Sequence, residues 1–113
     1  MIFIRDMGCV LTRPLHLYTP SDVSKVREIL HKEQNGIDPI LQEKIELSGS
    51  VLDHSHVTQR CRGVLHRQSN SWEGLVFNAY RRCLQWVTDK PLPELLRNLA
   101  DYYEDTARIE HTK

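Results

Sequence analysis

Three short stretches, Asp53-His54-Ser55-His56, Arg62-Gly63-Val64-Leu65 and Asn70-Ser71-Trp72-Glu73-Gly74, bring together the side chains that phosphodiester hydrolysis requires. That reaction needs a base to deprotonate water, a cation on the scissile phosphate and departing oxygen, and rigid placement of both. Asp53 and Asn70 offer hard oxygen donors, which suit one Mg²⁺ or Mn²⁺ rather than zinc. His54 adjoins Asp53, so on an extended strand the two point to opposite faces, the imidazole toward the water and the carboxylate toward the metal. Histidine titrates near neutrality and is therefore available as a general base. His56 shares the face of His54 if the chain stays extended, where it can contact the phosphate. Glu73 shares a helix face with Asn70 and can support the metal's outer shell or bind a second ion. Each residue also has a plainer reading: His54 as a surface or core histidine, His56 as a turn residue, Glu73 as a helix-surface acid. An Asp-His dipeptide alone is weak, and the joint pattern is what carries specificity.

Those side chains meet only if the chain doubles back. Ser48-Gly49-Ser50 leads into a short strand at Val51-Leu52 that delivers Asp53 and His54, Thr58-Gln59 serves as the turn, and residues 61–65 return as the second strand. From residue 66 to 87 the pattern becomes helical, with Trp72, Leu75, Val76, Ala79, Cys83, Trp86 and Val87 at helix spacing. This spacing favours core packing over base stacking for Trp72 and Trp86. A ββα motif over about 51–87 follows, and a break at Asp89-Lys90-Pro91 precedes a last helix over about 92–105, striped by Leu95, Leu96, Leu99, Tyr102 and Tyr103. Upstream, Thr19-Pro20-Ser21-Asp22 marks a helix start, Val23, Val26, Ile29 and Leu30 form its apolar stripe, and Asn35-Gly36 stops it. Ile37-Asp38-Pro39-Ile40 reads as a tight turn. Residues 1–18 read as an irregular arm with a short strand at 1–4. The expected fold is a mixed α+β single domain over 19–113, mostly helical, with one β-hairpin holding the site.

At 113 residues the chain is sized for one domain with a modest core. Its 15 Lys and Arg balance 15 Asp and Glu, so no global basic field exists and any DNA affinity must come from local patterning. Arg60, Arg62, Arg67, Arg81 and Arg82 stand against the single acid Glu73, whereas the tail from Asp89 onward is rich in acids. These five are the candidate DNA contacts, because phosphate contacts dominate affinity; otherwise they are a solvated face. Cys9, Cys61 and Cys83 are odd in number, widely spaced and without a signal-like leader, which points to a reduced, cytoplasmic setting. Cys61 and Cys83 read as buried small apolar residues. His66 reads as structural, and His16, His31 and His111 as surface residues. No apolar run approaches the roughly 18 residues of a membrane span.

Taken together, these stretches resemble the phage recombination endonuclease VII family within the His-Me finger (HNH-like) nucleases, over about residues 29–104. The closing Leu92-Pro93-Glu94-Leu95-Leu96-Arg97 segment resembles that family's tail as well. The resemblance implies Asp53 and Asn70 as ligands of one catalytic Mg²⁺ or Mn²⁺, His54 as general base, and His56 and Glu73 as supporting active-site residues. It also implies a phage or prophage source, and branched DNA such as a Holliday junction, or nicked duplex, as substrate. Two symmetric cuts favour a twofold homodimer, although the chain is short for the intertwined dimers of larger members, and a monomeric nickase is the other form. The sequence departs from the family at its structural zinc, normally held by two Cys-x-x-Cys pairs. Here those positions are Ile37 and Ile40, after Gln34-Asn35-Gly36, and His66 and Ser69. Isoleucines cannot ligate zinc, and one histidine with one serine makes a poor site. No structural zinc is expected, its place being filled by apolar packing of Ile37 and Ile40 against the motif helix. Two rival readings are an RNase or nonspecific nuclease of the same active-site type, and a non-catalytic DNA- or protein-binding module that kept the fold.

Overall fold

The computed structural model describes residues 13–111, with side chains through residue 106; the strand expected at 1–4 lies outside the described residues. A 3-10 turn at Leu15–Leu17 leads into helix α1 (Pro20–Glu33), strands β1 (Ile37–Asp38) and β2 (Glu43–Lys44) and a second 3-10 turn at Leu47–Gly49. Strands β3 (Ser50–His54) and β4 (Cys61–His66) and helices α2 (Arg67–Cys83) and α3 (Leu92–His111) follow. The architecture is mixed α+β, with antiparallel pairs β1–β2 and β3–β4. The chain forms two compact units, one ending at Glu73 and one beginning at Gly74.

Helix α1 begins and ends where its sequence says it should. The Thr19 hydroxyl accepts the Asp22 N–H at 3.1 Å while the Asp22 carboxylate accepts the Thr19 N–H at 3.0 Å, a reciprocal cap. The Thr19 backbone N–H holds the Asp22 carboxyl below its usual range. At the far end Asn35 (φ 56°) and Gly36 (φ 69°) turn left-handed, and the Gly36 N–H returns to the His31 carbonyl at 2.8 Å. Val26 on this helix is buried with Leu52 of β3 and Val64 of β4, and Leu15, Tyr18, Val23, Leu30, Ile45 and Cys61 pack around them. The core of the first unit is thus α1 laid against the β3–β4 hairpin.

Two polar side chains tie this unit together. The Gln34 carboxamide covers the free edge of β4, accepting the Val64 N–H at 2.8 Å and donating to the carbonyls of Val64 at 2.9 Å and Ile37 at 3.0 Å. It does the work of one residue of an extra strand. Asp38, fully buried, accepts N–H bonds from Ile40 (2.6 Å), Leu41 (2.9 Å) and His66 (2.8 Å). Burial alone would push its carboxyl up, but the backbone donors outweigh burial and hold it below the usual range. The chain turns at 39–42, between β1 and β2, rather than at 37–40 as expected, and the Asp38 carboxylate joins this turn to the end of β4. Ile40, expected with Ile37 to fill the place of the zinc, is 38% exposed and lines a pocket with Ser69 and Trp72 of α2. His66 then caps α2, its Nδ1 accepting the Gln68 N–H at 3.0 Å, which places the ring proton on Nε2. His31, expected at the surface, is half-buried, and its Nε2 donates to the Ile45 carbonyl at 2.8 Å.

The helices also differ from expectation. Helix α2 stops at Cys83 rather than 87, where the N–H groups of Leu84 and Gln85 both return to the Tyr80 carbonyl, and α3 runs beyond 105 to His111. Trp72 and Trp86, expected in the core, are 56% and 85% exposed, and Cys83 is exposed too. Helical spacing identifies residues that share a face, but it does not supply an element to cover that face. Among the described residues no helix is long and apolar enough to cross a membrane.

Candidate active site

The β3–β4 pair is in register from Ser50 opposite His66 to Asp53 opposite Gly63, and then slips, so that His54 faces Cys61. Arg62 is the residue left without a cross-strand partner. Such a bulge bends the strand and re-aims a side chain, and the Arg62 guanidinium reaches Asp53. Its Nε donates to Asp53 Oδ2 at 2.7 Å and its Nη2 to Oδ1 at 3.0 Å, a two-pronged ion pair. Nη2 also lies 3.4 Å from Glu73 Oε1. The bond to Asp53 holds the guanidinium's pKa above its usual value against the opposing effect of burial, so Arg62 is a permanent cation here.

Glu73, on α2, receives His56 as well as Arg62. Its two carboxylate oxygens lie 3.0 and 2.8 Å from His56 Nε2, which places a proton on that nitrogen. The His54 and His56 rings are 6.2 Å apart between centroids. His56 reaches Glu73 because it lies in a loop, not on an extended strand shared with His54. The loop spans 55–60 rather than turning at Thr58-Gln59 alone. Ser55 closes it by exchanging backbone bonds with Arg60 and Gln59, and its hydroxyl accepts the N–H groups of Val57 and Thr58. The Leu15 N–H anchors the loop from outside through the Gln59 carbonyl.

The remaining expected residues are distributed as follows. His54 ends β3 and is half-buried, open enough for a water to reach it. Asn70 is half-buried on α2, one turn before Glu73, and among the described residues no hydrogen bond joins it to Asp53. Arg60 and Arg67 are exposed and Arg62 is turned into the cluster. Arg81 and Arg82 are exposed in the last turn of α2, within the second unit, where they complement the helix end, and the Arg81 guanidinium stands 6.0 Å from the Phe77 ring centroid. The structure therefore joins Asp53, Arg62, Glu73 and His56 in one chain of hydrogen bonds and ion pairs, with His54 beside it.

Asp53 and Asn70 are residue types that a hard divalent cation takes as ligands. Each carries side-chain oxygen, and both Asp53 oxygens accept N–H bonds from the Arg62 guanidinium. Among the described residues no group of three or more His, Cys, Asp and Glu gathers around a common point. An ion here would keep water or phosphate on most of its positions, as Mg²⁺ prefers. Sequence reasoning placed Arg62 among phosphate contacts and missed its pairing with Asp53, because a bulge leaves no mark in residue spacing. It also passed over Asp38, whose signal was the Asp-Pro step of a side-chain-capped turn. Neither models of protein families nor curated proteins give a match to this sequence.

Proposed function

We propose that this chain is a metal-dependent DNA endonuclease of the phage recombination endonuclease VII type, cutting branched or duplex DNA. The reading is carried by the convergence of Asp53, His56, Arg62 and Glu73, from β3, the hairpin loop, β4 and α2, into one charged cluster beside His54. Ion pairs of this kind add little net stability, which leaves a chemical role as a reason for the residues to meet. In this reading Asp53 and Asn70 hold one Mg²⁺ or Mn²⁺, which when bound neutralises charge on the phosphate and the departing 3′ oxygen. His54 takes the proton from the attacking water. Glu73 fixes the ring of His56 so that it faces the phosphate, and Arg62 matches two phosphate oxygens with its two parallel N–H groups. Arg60 and Arg67 are placed to hold the flanking backbone.

One observation favours the rival, a non-catalytic DNA- or protein-binding module: both oxygens of Asp53 are satisfied by Arg62, as in a structural ion pair. Incubation of supercoiled plasmid, a four-way junction, linear duplex and single-stranded DNA and RNA with Mg²⁺ or Mn²⁺ separates the readings. Wild type is expected to nick DNA, and His54→Ala to lose about 10²-fold or more of that rate, with Asn70→Ala losing activity through the ion. Undiminished nicking by His54→Ala would sink the assignment of the base. No cleavage of any substrate by wild type leaves the binding module standing, and preference for RNA moves the substrate class.

A further inference from the structure

We propose that Arg62 is a built-in competitor for the divalent cation, occupying the edge of the Asp53 carboxylate that the ion needs. The inference rests on the reading of Asp53 as an ion ligand. Both guanidinium prongs lie on Asp53, at 2.7 and 3.0 Å, so an ion must either share oxygens already bonded to a cation or displace the prongs. Two cations on one carboxylate also repel, and that repulsion is strong where Asp53 is only 7% exposed. Arg62 is well placed to yield. It sits on the bulge, its side chain is 41% exposed, and Glu73 Oε1 stands 3.4 Å from Nη2 as a second foothold. A phosphate offers the same paired acceptors as a carboxylate. A DNA strand over the cluster therefore draws Arg62 off Asp53 and frees it for the ion, and by linkage each ligand favours the other. The free protein accordingly holds its ion weakly, at a cost set by the Arg62–Asp53 bond.

The test is calorimetric titration of Mn²⁺ into the free protein, comparing wild type with Arg62→Met, Arg62→Lys, Arg60→Met and Asp53→Asn at one salt concentration. Arg62→Met is expected to tighten Mn²⁺ binding about tenfold, a half-exposed, two-pronged pair lying between surface and buried values. Arg62→Lys keeps the charge but loses the fork, and is expected to tighten binding about two- to threefold. Arg60→Met removes the same charge from an exposed position and is expected to change affinity less than about twofold. Urea unfolding checks that each variant is folded, and if Arg62→Met is not, Arg62→Lys decides. Unchanged or weaker binding in the Arg62 variants, or equal tightening by Arg60→Met, overturns the competition while leaving Asp53 an ion ligand. Mn²⁺ binding that Asp53→Asn does not weaken removes the ion site, and the competition with it.

Discussion

Asp38→Ala probes the carboxylate that joins the β1–β2 turn at 39–42 to the end of β4. It deletes acceptors for three backbone N–H groups at 2.6, 2.9 and 2.8 Å, on a residue with no solvent exposure. Hydrogen bonds to a charged group contribute about 1.5–3 kcal/mol each. The donors on Ile40 and Leu41 belong to exposed residues and can turn to water, whereas the His66 N–H lies in half-buried surroundings between β4 and α2. The expected net loss is about 3 kcal/mol near pH 7, a large share of the stability of a small domain. Asp38→Asn keeps an acceptor for Ile40 and Leu41 but turns an amide N–H₂ toward the His66 N–H, with an expected loss of about 2 kcal/mol. The pH dependence has a fixed sign. The folded-state pKa lies below the ordinary value, so the stabilisation is fully present above the unfolded carboxyl's pKa and disappears as pH falls through the lower folded value. The gap between wild type and Asp38→Ala is therefore widest near neutrality and closes in acid. Urea unfolding followed by far-UV circular dichroism, repeated from neutral to acid pH, measures it. A difference within about 0.5 kcal/mol near pH 7, or a gap that widens on acidification, would refute the argument.

Three further perturbations address the scaffold and the site. Gln34→Ala is expected to cost about 2 kcal/mol, because the Val64 N–H and carbonyl both lose their partner. Gly63→Ala places a Cβ 3.0 Å from Gln34 Oε1 and is expected to cost about 1–2 kcal/mol in wild type but less in Gln34→Ala, so an additive double-mutant cycle would show that the two do not touch. Glu73→Gln retains the shape but weakens the hold on His56 and Arg62, and is expected to slow cleavage about 10–100-fold; wild-type rates would exclude Glu73 from the site. Burial pushes the Cys61 thiol up to about 11, so iodoacetamide at mildly alkaline pH should label exposed Cys83 and spare Cys61, and equal labelling in peptide mass spectra would contradict this.

Local chemistry was legible in the sequence wherever neighbouring residues settle it. Thr19, Pro20 and Asp22 cap α1 because a cap is a short-range bond, and Asn35-Gly36 ends it because only such residues turn left-handed at low strain. The hairpin was legible as well, since Ser48-Gly49-Ser50 and Thr58-Gln59 bracket two short runs whose Leu52 and Val64 pair across the strands and pack against α1. What the amino-acid order could not decide was how strands slip and which side chains cross between elements. The bulge at Arg62, the Gln34 amide on the edge of β4 and the Asp38 carboxylate on His66 all join residues distant in the chain. Trp72 and Trp86 make the same point in reverse. Their spacing suggested a shared helical face, but α2 ends at Cys83, before Trp86, and the burial of Trp72 depends on a covering surface, which is a property of the tertiary structure alone.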